Sequence, residues 1–300
     1  MDYRVSGSHV YPQMNTLVFG DIPREYSTYE HARAVVLPVP YERTTSYVKG
    51  TGRGPEAILE ASHQIELFDE KLKQEIFKMG IHTLPFMSVT PHPEQFLNQV
   101  EAEVSFHLRK NKLPVILGGE HTVTLGAIKA VKQYFPHIGV LQIDAHADLR
   151  DSYQEDPYSH ACVMRRVLAY APLFQIGIRS LSQEEFHLIK EERVTTVFSH
   201  EMTKETIEDL IAKLPEEVYL TIDMDGFDPA VVPGVGNPEP GGIDWKMADY
   251  IVDRVSSRSR IRGLDIVELR PIPGEVRSEV TAARLLYRVL GYIARDQSFF

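Results

Sequence analysis

Short, uninterrupted apolar runs rich in β-branched residues recur along the chain: Ala34 to Val39, Val115 to Leu117, Ile138 to Ile143, Phe174 to Ile178, Thr195 to Phe198, Val218 to Ile222 and Ile261 to Val267. Runs of this kind predict strands buried on both faces, because a half-exposed strand would alternate apolar with polar residues. Helical patterning fills the intervals, over Gln95 to Leu108, Val123 to Tyr134, Glu184 to Glu191, Lys204 to Leu214, Met247 to Val255 and Glu279 to Ala294. Strand and helix therefore alternate, which predicts an α/β protein with three layers, α/β/α, and a mostly parallel sheet. No repeat, low-complexity tract or Gly/Ser linker divides the chain, so one domain is expected over residues 1–300. Residues 1–30, rich in Tyr and Ser, read as an N-terminal arm or oligomer contact.

Composition acts mainly by exclusion. A chain of 300 residues that is 43% hydrophobic and 25% charged is too apolar for disorder and long enough for a large core. With 42 acidic against 32 basic residues and a net charge of −10, it lacks the basic face a nucleic-acid binder needs, and it suits a cationic solute. The single cysteine, Cys162, cannot form an intrachain disulfide; the start Met1-Asp2-Tyr3-Arg4 carries no secretion-type apolar run; and no apolar stretch reaches the ~18 residues of a membrane span. A cytoplasmic protein, not bound to membranes, is expected.

In parallel sheets, function gathers at the carboxyl ends of the strands. Three of those ends are unusual: Gly118-Gly119-Glu120-His121-Thr122, Asp144-Ala145-His146-Ala147-Asp148, and Asp223-Met224-Asp225-Gly226-Phe227-Asp228-Pro229. Residues two apart on extended chain share a face, so Asp144 with His146, and Asp223 with Asp225, form two claws. Acids and histidines at single strand ends are common as caps and turn formers. Four aspartates and two histidines in one place are not explained that way, because like carboxylates raise each other's pKa and cost several kcal/mol each when buried unpaired. Asp144, Asp148, Asp223 and Asp225 bring four negative charges, His121 and His146 bring neutral nitrogens, and two divalent ions balance the sum. Carboxylate-rich ligation with one imidazole per ion suits a harder ion such as Mn²⁺ better than Zn²⁺. Paired ions generate a nucleophilic hydroxide, so the site reads as hydrolytic.

Gly-Gly-Glu-His at 118–121, Asp-Ala-His-Ala-Asp at 144–148, Ser-His-Ala at 159–161 and Asp-Met-Asp-Gly-Phe-Asp-Pro at 223–229 resemble the signature blocks of the ureohydrolases, the arginase and agmatinase family. The likeness extends from Val39-Pro40-Tyr41 and the Arg-Gly-Pro-Glu-Ala-Ile block at 53–58, through Pro240-Gly241-Gly242, to Glu268, and its Arg-Gly-Pro-Glu-Ala-Ile and Ser-His-Ala-Cys-Val-Met-Arg-Arg blocks look most like the agmatinase branch. The resemblance implies an arginase/deacetylase-like fold and two Mn²⁺ per subunit. One ion would be held by His121, Asp144, Asp148 and Asp223, the other by His146, Asp144, Asp223 and Asp225. It also implies that His160 shuttles a proton, that Glu268 holds the guanidinium, that Asp148 aims the attacking hydroxide, and that the assembly is a homotrimer or homohexamer. A guanidinium stays protonated in water and its carbon resists neutral water, so an activated nucleophile, a carboxylate partner and an acid for the departing amine are the expected parts.

Within the family, the tail of the substrate separates the branches. Arginase-like chains carry Asn two residues after the last aspartate of the Asp-x-His-x-Asp block, where this chain has Arg150, so arginine is disfavoured. Acids in the same loop, Asp151, Glu155 and Asp156, are compatible with a cationic tail, making agmatine the leading candidate, cleaved to putrescine and urea in polyamine biosynthesis. N1-aminopropylagmatine and 4-guanidinobutyrate are the alternatives; a pocket-facing Arg150 would favour the guanidino acid, whereas an outward, acid-paired Arg150 is the expected state. An inactive metal-binding scaffold, or a one-zinc deacetylase, is disfavoured by the intact Asp223-Met224-Asp225 claw and His121. Cys162 reads as a core thiol, Gly118-Gly119 as a close backbone approach instead of a phosphate loop.

Overall fold

The structure is a computed structural model describing residues 17–191 and 194–297. In chain order its strands are β1 (Ala34–Val39), β2 (Phe68–Asp69), β3 (Gln74–Glu75), β4 (Ile81–Thr83), β5 (Leu113–Gly118), β6 (Gly139–Ile143), β7 (Leu173–Ile178), β8 (Val194–Phe198), β9 (Glu217–Asp223) and β10 (Arg260–Val267). The α-helices are α1 (Arg24–Ser27), α2 (Gly54–Ser62), α3 (Pro93–Arg109), α4 (Val123–Tyr134), α5 (Val163–Val167), α6 (Gln183–Glu191), α7 (Lys204–Ile211), α8 (Trp245–Arg258) and α9 (Arg277–Asp296). Eight strands form one sheet ordered β4-β1-β5-β10-β9-β6-β7-β8, while β2 and β3 form a separate antiparallel pair. All pairings within the large sheet are parallel.

The uninterrupted apolar runs have the predicted cause: both faces of the sheet are covered. Ala34 and Val36 of β1 join one core with Ile58 of α2, Ile207 of α7, Ile251 of α8 and Leu286 of α9. Val35, Leu37 and Val39 point the other way, into a second core with Val100 of α3, Ile128 of α4, Met164 of α5 and Ile189 of α6. Full burial of one large aliphatic side chain contributes roughly 1.5–3 kcal/mol, so two filled cores hold the central strand ends firmly in place.

The seven expected strands and six expected helices are present. The periodicity reading misses β2, β3, β4, α1, α2 and α5. Edge strand β4 has only three residues, with His82 in its middle, and α2 opens on Gly54-Pro55, where proline fits the first helical turn because its missing N–H needs no partner there. Helix α7 stops at Ile211, short of the expected Leu214, since Pro215 disfavours helical geometry in the residue before it. Of the expected arm, residues 1–16 lie outside the described residues. Phe19 is buried in the core, its N–H donating to Thr83 Oγ1 at 2.9 Å.

Chain order reverses between β5 and β6, which leave two places between them for β10 and β9. In open α/β sheets such a reversal leaves a crevice beyond the carboxyl ends of the strands. The four adjacent central strands deliver His121 (after β5), Glu268 (after β10), Asp223 (end of β9) and Asp144 (after β6) to that crevice.

Candidate metal centre

Strand β5 ends in a turn that only glycine permits: a Cβ on Gly119 would overlap the Tyr41 carbonyl oxygen. This close approach carries His121 to the base of the crevice, where the ring is fully buried. Its Nε2 lies 2.8 Å from Thr221 Oγ1, and that hydroxyl donates to Asp265 Oδ1 at 2.5 Å. The Thr221 proton is thus committed to Asp265, so Nε2 carries the hydrogen toward Thr221 and Nδ1 is the ring's ligating face. Asp144 Oδ2, Asp148 Oδ2 and Asp223 Oδ2 stand 3.1, 3.2 and 3.2 Å from Nδ1, yet Nδ1 makes no hydrogen bond. A buried ring nitrogen ringed by three carboxylate oxygens without a hydrogen bond is arranged as a cation-binding set.

The second cluster shares a residue with the first. Asp144 turns Oδ2 toward His121 and Oδ1 toward His146, whose Nδ1 is 3.0 Å from Asp225 Oδ2 and 3.7 Å from Asp144 Oδ1. His121, Asp144 and Asp148 form one group with ligand atoms within 4.8 Å of one another, and Asp144, His146 and Asp225 form another. Neighbouring donors aim the carboxylates: Gln142 Nε2 and the His146 N–H each bond one oxygen of Asp144, the Ala145 N–H bonds Asp225, and the Asp225 N–H bonds Asp223. His146 Nε2 faces the Asn237 side-chain amide at 2.9 Å.

The electrostatics agree with the geometry. Burial raises the carboxyl pKa of Asp148, Asp223 and Asp225, and the neighbouring aspartates raise them further. Burial would lower the two histidines, but the surrounding aspartates outweigh it and lift both. For Asp144 burial pushes upward, and His121 and His146 pull its carboxyl below the usual range. Raised carboxyls beside raised imidazoles mean that the cluster's field draws positive charge. The donor set, four carboxylates and two imidazoles, fits two hard divalent ions.

Glu268 closes the opposite wall. It is 6% exposed, its Oε1 accepts the His121 N–H at 2.8 Å, and its backbone adopts a left-handed φ of 62°. Asp148 is likewise left-handed, at 53°. Non-glycine residues pay for that conformation, and its appearance at two residues of one crevice is the pattern expected of a working site. Burial and the nearby Glu120 charge push the Glu268 carboxyl pKa well up, so the position favours a cationic partner.

A cavity of about 160 Å³ leads outward past His146, Asp148, His160, Arg150, Glu185 and Asn237. Arg150 lines it instead of turning away, with Nε 3.7 Å from Glu185 Oε2 and the guanidinium 5.3 Å from the Tyr153 ring centre. The loop acids singled out from sequence are engaged elsewhere: Asp151 pairs with Arg166, Asp156 with Arg43, and Glu155 is exposed. The acid that lines the cavity together with Asp148, Glu185, lies on α6 and gave no local sign of it; neither did Asn237, except that it precedes the Pro-Glu-Pro-Gly-Gly block. Cys162 is buried, with its thiol pushed up to about 12, as befits a packing residue.

Comparison with known proteins gives one consistent result. The arginase family model matches residues 32–291. An N(1)-aminopropylagmatine ureohydrolase of Synechocystis is 40% identical over 90% of this chain and 92% of its own, and another from Thermus thermophilus is 36% identical over 92% and 94%. The agmatine ureohydrolase structure from Thermoplasma volcanium superposes with a TM-score of 0.84 at 32% identity, covering 91% of this chain and 93% of that one. The chain belongs to the arginase family.

Proposed function

We propose that this arginase-family chain is a binuclear manganese ureohydrolase acting on a guanidino-polyamine, with N1-aminopropylagmatine preferred over agmatine. The observation that carries the reading is the pairing of two cation-binding clusters that share Asp144 with a buried, cation-seeking Glu268 in one crevice.

His121, Asp144, Asp148 and Asp223 would hold one ion, and His146, Asp144, Asp223 and Asp225 the other. Bound there, the ions would supply a strong nucleophile from water at neutral pH and offset developing negative charge. Glu268 binds the planar guanidinium through its carboxylate, kept in place by the His121 N–H. Asp148 accepts a hydrogen bond from the attacking water and fixes its line of approach. His160, on the cavity wall, protonates the amine nitrogen as the C–N bond breaks. Urea and a polyamine result.

The tail preference draws on the 40% and 36% identical relatives, both named for aminopropylagmatine. Glu185 offsets the Arg150 charge, which keeps the cavity tolerant of an amine tail. A second reading, a guanidino acid such as 4-guanidinobutyrate, is favoured by the place of Arg150 on the cavity wall. Urea release by Mn²⁺-loaded protein on aminopropylagmatine, agmatine, 4-guanidinobutyrate and arginine tests both. Highest kcat/KM on aminopropylagmatine is expected; preference for guanidinobutyrate would move Arg150 onto the substrate carboxylate, and no turnover of any of them would remove the ureohydrolase reading.

A further inference from the structure

The loop that follows β1 reaches across the crevice and ends against a buried carboxylate. Glu120, fully buried beside His121, accepts four hydrogen bonds: Oε2 from the N–H groups of Arg43 (2.5 Å) and Thr44 (2.6 Å), and Oε1 from the hydroxyls of Thr44 (2.9 Å) and Thr122 (2.7 Å). Only a carboxylate accepting at every lone pair satisfies four donors. The Thr44 hydroxyl stands also 3.0 Å from His160 Nδ1 and accepts the His160 backbone N–H at 3.0 Å. Its one proton is given to Glu120, so toward His160 it can only accept.

We propose that Thr44, anchored by Glu120, is a positioning residue that holds the proton of His160 on Nδ1 and so reserves Nε2 for proton transfer in the crevice. The reverse arrangement, with the hydroxyl proton turned to Nδ1, would leave two oxygen lone pairs facing each other 2.9 Å apart between Thr44 and Glu120. With Nδ1–H fixed, the proton delivered to the departing amine comes from Nε2; the C–N electron pair stays on that nitrogen, and His160 is left as the neutral Nδ1–H tautomer. This inference rests on the ureohydrolase reading and on His160 as its proton donor. The orientation is sequence-encoded across a separation of 116 residues: Thr44 follows β1, Glu120 follows β5, and His160 opens a short helical turn beyond β6.

Two measurements test it separately from the reading it rests on. In ¹⁵N-labelled protein loaded with diamagnetic Mg²⁺, long-range ¹H–¹⁵N spectra, assigned by the signals lost in His160→Gln, should show neutral His160 with its proton on Nδ1. A proton on Nε2 would overturn the proposal while leaving the activity untouched. In kinetics, Thr44→Val should lower kcat by roughly 100-fold, the low end of what a positioned general acid contributes, with KM changed less than about twofold. Thr44→Ser should restore most of the loss, and Thr44→Val should add nothing in a His160→Ala background. Equal losses for Val and Ser, or a Val effect that multiplies with His160→Ala, would overturn it. If Thr44→Val fails to fold, the tautomer and Thr44→Ser still decide.

Discussion

Two clusters of acids among the described residues are balanced in opposite ways. Near the C-terminal helix, Arg288 is 2% exposed and spends its whole guanidinium on acids: Nε to Asp69 at 2.6 Å, Nη2 to Glu70 at 2.8 Å and Nη1 to Asp249 at 3.0 Å. Lys71 joins Asp249 and Asp253, and Tyr292 donates to Asp249. Each negative charge there has a positive side chain of the same chain beside it. In the crevice, Asp144, Asp148, Asp223, Asp225 and Glu268 meet two imidazoles, the neutral Gln142 side-chain amide and backbone donors. The first cluster is a staple tying the β2–β3 pair to α8 and α9; the second stores an unmet demand for cations, which is what a binding site for metals and a guanidinium requires.

If that contrast is right, variants should separate cleanly. The largest effect is expected for Asp144→Ala, which removes the carboxylate common to both clusters: turnover should fall by at least about 10³-fold, since such a group would serve both proposed ion sites. Urea denaturation of the metal-free variant should show a fold close to the metal-free parent in stability, because the repulsion relieved on Asp148, Asp223 and Asp225 is offset by the attraction lost at His121 and His146. Arg288→Ala is the mirror image. It leaves the buried Asp69 without its charged partner, while Lys71 and Tyr292 still hold Asp249, and should cost about 3–5 kcal/mol in denaturation, while kcat of the folded fraction stays at the parental value. A catalytic defect from Arg288→Ala, or a collapsed fold from Asp144→Ala, would merge the two regions that the charge count keeps apart.

A smaller effect is expected for His160→Ala: both ions bound, kcat reduced by about 10²-fold, and KM little changed. Ion loss measured by elemental analysis would place His160 in the ligand set instead. The smallest effect is a pH dependence of stability. Asp148, Asp223, Asp225 and Glu268 have raised folded-state pKa values, as do His121 and His146. Groups of either kind bind more protons folded than unfolded, so the metal-free protein should lose stability as pH rises from about 4.5 to 8. Asp144, shifted down, acts only below its ordinary value of 3.8 and lies outside this window. The rise in Tm on adding Mn²⁺ should therefore grow with pH across the same range; a flat or falling metal effect would show that the crevice is not where the ions bind.

Much of this was legible in the sequence because parallel strands buried on both faces write themselves as unbroken apolar runs, and the residues that end them are adjacent in sequence as well as in space. Asp144 with His146, and Asp223 with Asp225, announce themselves by a spacing of two. What could not be read is whatever depends on contacts between distant segments. Thr44 meets His160 across the crevice, Glu185 reaches the cavity from α6, and Arg288 gathers acids from the end of β2 and from α8. Arg150 shows the same limit: its neighbours in sequence, Asp151 and Asp156, have other partners, and the acid beside it is thirty-five residues away.

The most direct test is a metal titration of the stripped protein, following bound Mn²⁺ per chain and urea release together. Two ions per chain, with activity rising to the second equivalent and Asp225→Ala stopping at one ion with little turnover, is the expected result. Full activity at a single ion per chain, or no tight binding at all, would contradict the paired-cation centre.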